Sequence, residues 1–109
     1  MHFAAWSVDT TDVEEFISEL GQVEQHQVRR DLEKLENRGT AAKPPLVGRL
    51  DGAVYYLRSP FGARIFYFQD GERSLRAFDA YVKKRKRLPK HVRERVLRRY
   101  ETIKKEDGR

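Results

Sequence analysis

The sequence predicts an α+β fold built as a single domain over residues 1–109. Apolar residues recur at helical spacing in the first forty positions, alternate with a period of two between Val54 and Val82, and return to helical spacing after Pro89. A chain of 109 residues suffices for one modest hydrophobic core. The predicted architecture is an N-terminal helical hairpin packed on a small antiparallel β-sheet, followed by a basic C-terminal helix.

The first elements are predicted to be a short strand and two helices. Residues 2–8 are predicted to form the strand. A capping box at Thr11 and Glu14 starts the first helix, and Gly21 ends it. The second helix is predicted over residues 22–38, with a buried stripe of Val28, Leu32 and Leu35. Because the connection between the helices is very short, they are expected to form an antiparallel hairpin.

The middle of the chain is predicted to be a three-stranded antiparallel meander. Aromatic and β-branched residues dominate Val54–Arg58, Ala63–Phe68 and Leu75–Val82, which are separated by turn residues. The preceding segment, residues 40–45, is predicted as a loop, and Asp51-Gly52 as a turn.

Alternation then assigns side chains to the two faces of this sheet. Tyr56 and Arg58 share a face of the first meander strand, and Arg64 lies on one face of the second. The third strand is predicted to place on one face Leu75, Ala77, Asp79 and Tyr81. A helical hairpin covers only one face, so the other is expected to present arginine and tyrosine, which suit RNA bases and phosphates. The alternative is that these arginines are ordinary edge residues paired with carboxylates.

Positive charge is concentrated at the C-terminus. The formal net charge is +6; residues 83–109 hold 13 basic and 4 acidic residues, a net of +9, against 10 basic and 13 acidic residues before them. Five consecutive basic residues occupy Lys83–Arg87, and Pro89 precedes a helix with an apolar stripe of Val92, Val96, Leu97, Tyr100 and Ile103. This asymmetry indicates a polyanionic partner, although a solvated, charged terminal helix would show it too.

Several functional classes are excluded or unsupported. The chain has no cysteine, which excludes disulfides, thiolate metal sites and a cysteine nucleophile. No apolar run approaches the ~20 residues of a membrane span, and no secretory signal is recognisable. His2, His26 and His91 are scattered and predict no metal site. If the protein cleaves RNA, cationic and tyrosine side chains must assist attack by the RNA 2′-hydroxyl.

Three segments carry a family resemblance: Leu50–Arg58, Gly62–Phe68, and Tyr81–Lys84 with Pro89 a few residues on. They resemble the RelE/ParE toxin superfamily, and in particular its HigB-like, phage-derived branch. That branch typically carries the strands "G-L-Y-E-L-R" and "YRVLYF", then "FVKK" and a proline before a basic helix. The resemblance extends over about residues 13–100.

The resemblance implies a cytoplasmic toxin of a type II toxin–antitoxin system. Members of this branch typically enter the ribosome and cleave mRNA through the RNA 2′-hydroxyl, without a metal and without a cofactor. The implied partners are a cognate antitoxin, often a helix-turn-helix protein, together with the ribosome and mRNA; no membrane is involved.

The resemblance also implies roles for individual residues. Arg64 matches the arginine that contacts the scissile phosphate, Arg58 closes the first meander strand, and Lys84 lies near a basic catalytic position. The catalytic residues are therefore expected to be Arg58, Arg64, Tyr81 and Lys84, and the RNA-binding residues Tyr56, Lys83, Arg85, Lys86 and Arg87. Asp79-Ala80 replaces a His-Gly pair that is frequent in the branch, so the general base stays open between Tyr56 and Tyr81.

Two other functions remain alternatives at this point. The chain could be a non-catalytic module of the same fold that binds nucleic acid or protein, which the replacement at position 79 favours. It could instead resemble the ParE branch and inhibit gyrase, although the basic run and the Val-Lys-Lys match argue against that.

Overall fold

The computed structural model describes residues 5–108. The chain forms a five-stranded mixed sheet in the order β1-β5-β4-β3-β2, in which β1 is parallel to β5 and the other pairs are antiparallel. Its elements are β1 (Ser7–Asp9), α1 (Glu14–Ser18), α2 (Gln22–Arg38), β2 (Val47–Asp51), β3 (Val54–Arg58), β4 (Ala63–Gln69), β5 (Ser74–Val82) and α3 (Lys90–Asp107), with 3₁₀ turns at Thr11–Val13 and Gly39–Ala41. The α+β class predicted from the sequence is confirmed.

The first strand is shorter and later than predicted. β1 pairs with the start of β5, with Ser7 opposite Ser74 and Asp9 opposite Arg76. Residues 2–4 of the predicted strand lie outside the described residues. The Trp6 N–H donates to the Glu36 carbonyl at 2.8 Å, so the chain leading into β1 is held against α2.

The predicted first helix and its capping box are wrong in detail. The segment is a 3₁₀ turn followed by a five-residue helix, which is too short to form a true two-helix hairpin with α2. The hydroxyl of Thr10, not Thr11, donates to Glu14, and Asp9 accepts the Thr11 N–H at 3.0 Å. Arg29 on α2 donates to both oxygens of Glu14, at 3.0 and 2.5 Å. Glu14 is thus held by Thr10 and a neighbouring helix, and no capping box forms.

The long helix α2 follows the prediction in both bounds and buried stripe. Val28, Leu32 and Leu35 are buried against one face of the sheet, as expected from their spacing. Their neighbours in this core include Leu57, Ile65, Tyr67, Leu75 and Ala77. α2 therefore provides most of the helical cover of this face.

Strand β2 was not predicted. It pairs with β3, with Gly48 opposite Tyr56, and its register shifts between Arg49 and Asp51. A Cβ atom on Gly48 would lie 2.4 Å from the Tyr56 ring, so only glycine leaves room for that ring where it lies. The glycine and the register irregularity interrupt the alternation that would otherwise mark a strand.

The second face of the sheet is not open, contrary to the sequence prediction. α3 packs on it and forms a second core with β3, β4 and β5. Tyr100, predicted to be a core residue, makes an edge contact with Phe68 at a centroid distance of 5.1 Å. This core contains the buried residues Val54, Phe66, Phe68, Phe78, Val92 and Val96. Only the part of the face near the C-terminal end of β3 and the N-terminal end of β4 remains accessible to a ligand.

The face assignment predicted for β5 is also wrong. Phe66 pairs with Asp79 but Tyr67 pairs with Ala77, so Phe78 is an extra residue at a β-bulge. Ala77 consequently faces the α2 core, whereas Phe78 and Tyr81 face the α3 core. The bulge turns Asp79 and Tyr81 to the same side as Phe66.

Candidate functional site

Four of the predicted site residues meet at the ends of β3, β4 and β5. Arg58 lies directly opposite Arg64, and Arg64 lies directly opposite Tyr81. Tyr56 is two residues before Arg58 and pairs with Phe66, the residue two after Arg64. The antiparallel register therefore produces a row of two arginines and a tyrosine across three strands, with a second tyrosine beside it.

The Tyr56 ring holds both guanidinium groups. The Cζ atoms of Arg58 and Arg64 lie 5.7 and 5.8 Å from its centroid, within the range of a cation–π interaction. Arg58 also donates from Nη2 to the Tyr56 hydroxyl at 3.2 Å. One aromatic ring thus keeps two positive charges close together at the surface.

Neither arginine has a carboxylate partner within residues 5–108. Burial lowers the pKa of Arg64, and the nearby charge of Arg58 lowers it further. A guanidinium nonetheless stays protonated at neutral pH. Arg64 donates to the Ala63 carbonyl at 3.1 Å, which leaves most of its five N–H groups for a ligand. The two side chains are therefore suited to bind an anion such as a phosphate.

A pocket of about 190 Å³ lies beside this arginine pair. It is lined by Arg49, Leu50, Tyr56, Arg64, Phe66, Lys83, Lys86 and Leu88. The lining combines the cations Arg64, Lys83 and Lys86 with aromatic and aliphatic walls, and none of its residues is acidic. Such a lining favours a phosphate that carries an attached base or sugar.

The basic segment Lys83–Arg87 is held at this pocket by its first residue. The Lys83 N–H donates to the Gly62 carbonyl at 2.7 Å, and the Lys83 ammonium donates to the Lys86 carbonyl. Gly62 has a φ of +104°, and a Cβ atom there would lie 2.4 Å from the Lys83 carbonyl oxygen. Glycine is therefore needed in the β3–β4 turn for the basic segment to approach so closely.

The predicted functional residues of the basic segment fall into two groups, those that line the pocket and those that do not. Lys83 and Lys86 line the pocket. The lining does not include Lys84, Arg85 and Arg87, which are exposed around it. Lys84, expected to be catalytic, therefore does not reach the pocket in this arrangement, whereas its neighbour Lys83 does.

Arg49 is a lining residue that was not predicted from the sequence. It lies on β2 and lines the pocket, and its Nε donates to the Gly52 carbonyl at 2.9 Å. Its guanidinium lies over its cross-strand partner Tyr55, 5.9 Å from the ring centroid, and so its charge is directed away from the arginine pair. It was missed because β2 was missed. The available signal was the Asp51-Gly52 turn, since a turn that precedes one predicted strand also predicts a partner strand before it.

Asp79 lies on the same side of the sheet but serves another purpose. Arg95 on α3 donates to both of its oxygens at 3.1 Å, and Arg99 lies 3.6 Å away. The Asp79 carboxylate is 7% exposed and does not line the pocket. It fastens α3 to β5 through a two-point ion pair.

Neither histidine within residues 5–108 lines the pocket. His26 and His91 are exposed on α2 and α3, and His2 lies outside the described residues. Among residues 5–108, no group of three or more histidine, aspartate or glutamate side chains is arranged to hold a metal ion.

The fold and pocket define a small α+β domain with a cationic, aromatic cleft at one end of its sheet. Residues 15–101 match the model of a protein family described as "Phage derived protein Gp49-like (DUF891)". This match covers most of the chain, so the protein belongs to the Gp49-like phage-derived family, a family of RelE/HigB-type toxins. Membership of a toxin–antitoxin family points to an antitoxin as its partner. A comparison with curated proteins found no match.

No helix within residues 5–108 is both long enough and apolar enough to span a bilayer.

Proposed function

We propose that this protein is the toxin of a type II toxin–antitoxin system and cleaves mRNA on the ribosome, as in the HigB-like branch. The observation that carries the proposal is the Arg58–Arg64 pair, which has no carboxylate partner in residues 5–108 and is held on the Tyr56 ring. Two guanidinium groups on neighbouring strands supply positive charge that complements the negative charge of a phosphodiester in its transition state.

The proposed reaction uses the substrate's own nucleophile. The RNA 2′-oxygen attacks the adjacent phosphorus while the bond from phosphorus to the 5′-oxygen breaks. The proton of the 2′-hydroxyl leaves to a base, and a proton is delivered to the departing 5′-oxygen. The products are a 2′,3′-cyclic phosphate and a 5′-hydroxyl, so neither water nor a metal is needed for this step.

The residues at and beside the pocket have distinct proposed roles in this reaction. Arg64 binds the non-bridging oxygens and stabilises the charge that develops on them, and Arg58 supports it from the next strand. Tyr56, which lines the pocket, and Tyr81, which pairs with Arg64 but does not line it, remain the candidates for proton transfer. Lys83 and Lys86 bind the backbone beside the scissile bond. Lys84, Arg85 and Arg87 extend the positive surface for mRNA and ribosomal RNA.

Substitution of Arg64 tests the proposal. Arg64→Ala should abolish growth inhibition while retaining the fold and binding to the cognate antitoxin, which we propose is a helix-turn-helix protein. Arg98→Ala, on the exposed surface of α3, is a matched control that should stay toxic. If Arg64→Ala is as toxic as the parent, the assignment of Arg64 is wrong.

A second candidate function is a non-catalytic nucleic-acid-binding module. The observation that favours it is the engagement of Asp79, at the position of a frequent family histidine, in the ion pair with Arg95. This alternative predicts RNA binding with no new RNA ends in cells. Inhibition of gyrase supercoiling by the purified protein would instead support a ParE-like activity.

A further inference from the structure

A second cationic groove lies on the α2 side of the sheet edge. It has a volume of about 560 Å³ and runs between the C-terminal half of α2 and the segment that leads into β2. Its cations are Lys34, Arg38, Lys43 and Arg58, and Pro44 and Pro45 form part of its wall. The groove has no role in the proposed reaction.

The groove carries an excess of positive charge. Its one carboxylate, Asp31, is buried and accepts hydrogen bonds from Ser59 at 2.8 Å and from Gln27 at 3.1 Å. The Lys34 ammonium lies 4.0 Å from Asp31 and is partly neutralised by it. Arg38 and Lys43 have no carboxylate partner in the described part of the chain, so their charges are available to a ligand.

One residue joins this groove to the candidate active site. Arg58 lines the groove, and its guanidinium donates to the hydroxyl of Tyr56, which lines the smaller pocket. The buried bond between Asp31 and Ser59 fixes the residue that directly follows Arg58. Positive charge therefore continues from α2, around Arg58, to Arg64 and Lys83.

We propose that the groove binds the phosphodiester backbone of the substrate RNA strand beside the bond held at Arg64. This inference rests on the proposed function, because it extends the path of the same strand. Flexible lysine and arginine side chains on an open surface suit backbone phosphates. Continuity at Arg58 favours the substrate strand over an acidic segment of an antitoxin, because a strand held at Arg58 and Arg64 enters the groove directly.

The test compares binding of short and long RNA that cannot be cleaved. A trinucleotide and a decanucleotide, both 2′-O-methylated, are titrated by fluorescence anisotropy over a range of salt concentrations. The test variant is Arg38→Gln/Lys43→Gln, and the control is Arg98→Gln/Lys105→Gln, which removes the same residue types from exposed positions of α3. Circular dichroism confirms that all proteins are folded.

The groove variant should bind the trinucleotide like the parent and lose about ten-fold in affinity for the decanucleotide at low salt. Its plot of log K against log salt for the decanucleotide should become shallower by about 0.7 for each lost phosphate contact. The control variant should bind the decanucleotide more tightly than the trinucleotide by the same factor as the parent does.

Three results would overturn the inference. One is a groove variant that binds the decanucleotide as well as the control does. Another is a variant that loses ribosome binding but not strand binding, which assigns the groove to ribosomal RNA. The third is loss of antitoxin binding alone, which assigns it to that protein. The RNA in this test cannot be cleaved, so the binding result does not depend on whether the protein cleaves mRNA. If the protein cleaves mRNA but the groove variant binds the decanucleotide normally, the groove inference is wrong and the proposed function stands.

Discussion

Arg58 and Arg64 are direct cross-strand partners on β3 and β4, and both guanidinium groups lie within 6 Å of the Tyr56 ring centroid at 5.7 and 5.8 Å. Like charges directly opposite each other in a sheet are unfavourable. Within residues 5–108 no carboxylate relieves this repulsion. An anionic ligand bound to both guanidinium groups would supply the missing negative charge. We therefore expect Arg58 and Arg64 to serve function and not stability.

Replacing either arginine of this pair should remove function without unfolding the protein. In Arg64→Gln, relief of the like-charge repulsion stabilises the fold by about 0.2–1 kcal/mol, and loss of the contact with Tyr56 costs about 0.5–1 kcal/mol. The free energy of unfolding should therefore change by less than about 1 kcal/mol, while growth inhibition is lost. Urea denaturation of the parent and the variant measures this. A loss in the free energy of unfolding several times larger than this would show that Arg64 is mainly structural.

Asp79 should behave in the opposite way. Asp79→Asn leaves the Arg95 and Arg99 side chains without their carboxylate, and charge-assisted hydrogen bonds to such groups contribute about 1.5–3 kcal/mol. We expect a loss of that size in the free energy of unfolding, with RNA cleavage by the folded fraction unchanged. Denaturation and cleavage are measured on the same preparation. Loss of cleavage in a fully folded Asp79→Asn protein would show that this residue transfers a proton.

Gly48 provides a way to move Tyr56 without replacing it. A Cβ atom at position 48 would lie 2.4 Å from the Tyr56 ring, so Gly48→Ala must displace the ring and with it the two arginines. A misplacement of this kind costs up to about 10²-fold in rate. Cleavage should fall sharply in Gly48→Ala, and it should fall no further when Gly48→Ala is added to Tyr56→Ala. Independent, additive losses would place the effect of Gly48 outside the Tyr56 ring.

Glu14 gives the fold a predictable dependence on acid. Hydrogen bonds from Arg29 and Thr10 lower the pKa of Glu14 from 4.5 to about 2. Because the folded-state pKa is lowered, the stabilisation is fully present above pH 4.5 and is lost as the pH falls towards 2. The pair is almost half exposed, so it contributes at most about 1 kcal/mol. The stability difference between the parent and Glu14→Gln should shrink over this range; a constant difference would contradict the assignment.

Simple periodicity predicted the regular elements and failed at the irregular ones. α2 is confirmed over Gln22–Arg38 because Val28, Leu32 and Leu35 recur at helical spacing and Gly21 and Gly39 mark its two ends. β2 was missed because Gly48 and a register shift after Arg49 conceal its alternation. The side chains of β5 were placed on the wrong faces because the extra residue Phe78 reverses the alternation partway along the strand. Such irregularities depend on cross-strand pairing, which a single segment of sequence does not encode.

The strand positions of the candidate site residues were predicted better than the cover of the sheet, and their roles stay predictions. Arg58, Arg64, Tyr56 and Tyr81 meet as expected, because their strand positions and their resemblance to a family motif agree. The closure of the second face by α3 was not foreseen, although the apolar stripe with Val92 and Val96 was recognised. A stripe indicates that a helix packs but does not indicate which surface it covers. The pocket exists because α3 covers only part of that face.

The most direct test of the central claim is the chemistry of RNA ends in cells that express the toxin. Sequencing that captures 2′,3′-cyclic phosphates and 5′-hydroxyls should reveal paired ends within translated mRNA, in phase with codons, for the parent. The same ends should be absent for Arg64→Ala produced at the same level. Growth inhibition by the parent without such ends, or an unchanged set of ends with Arg64→Ala, would contradict the account.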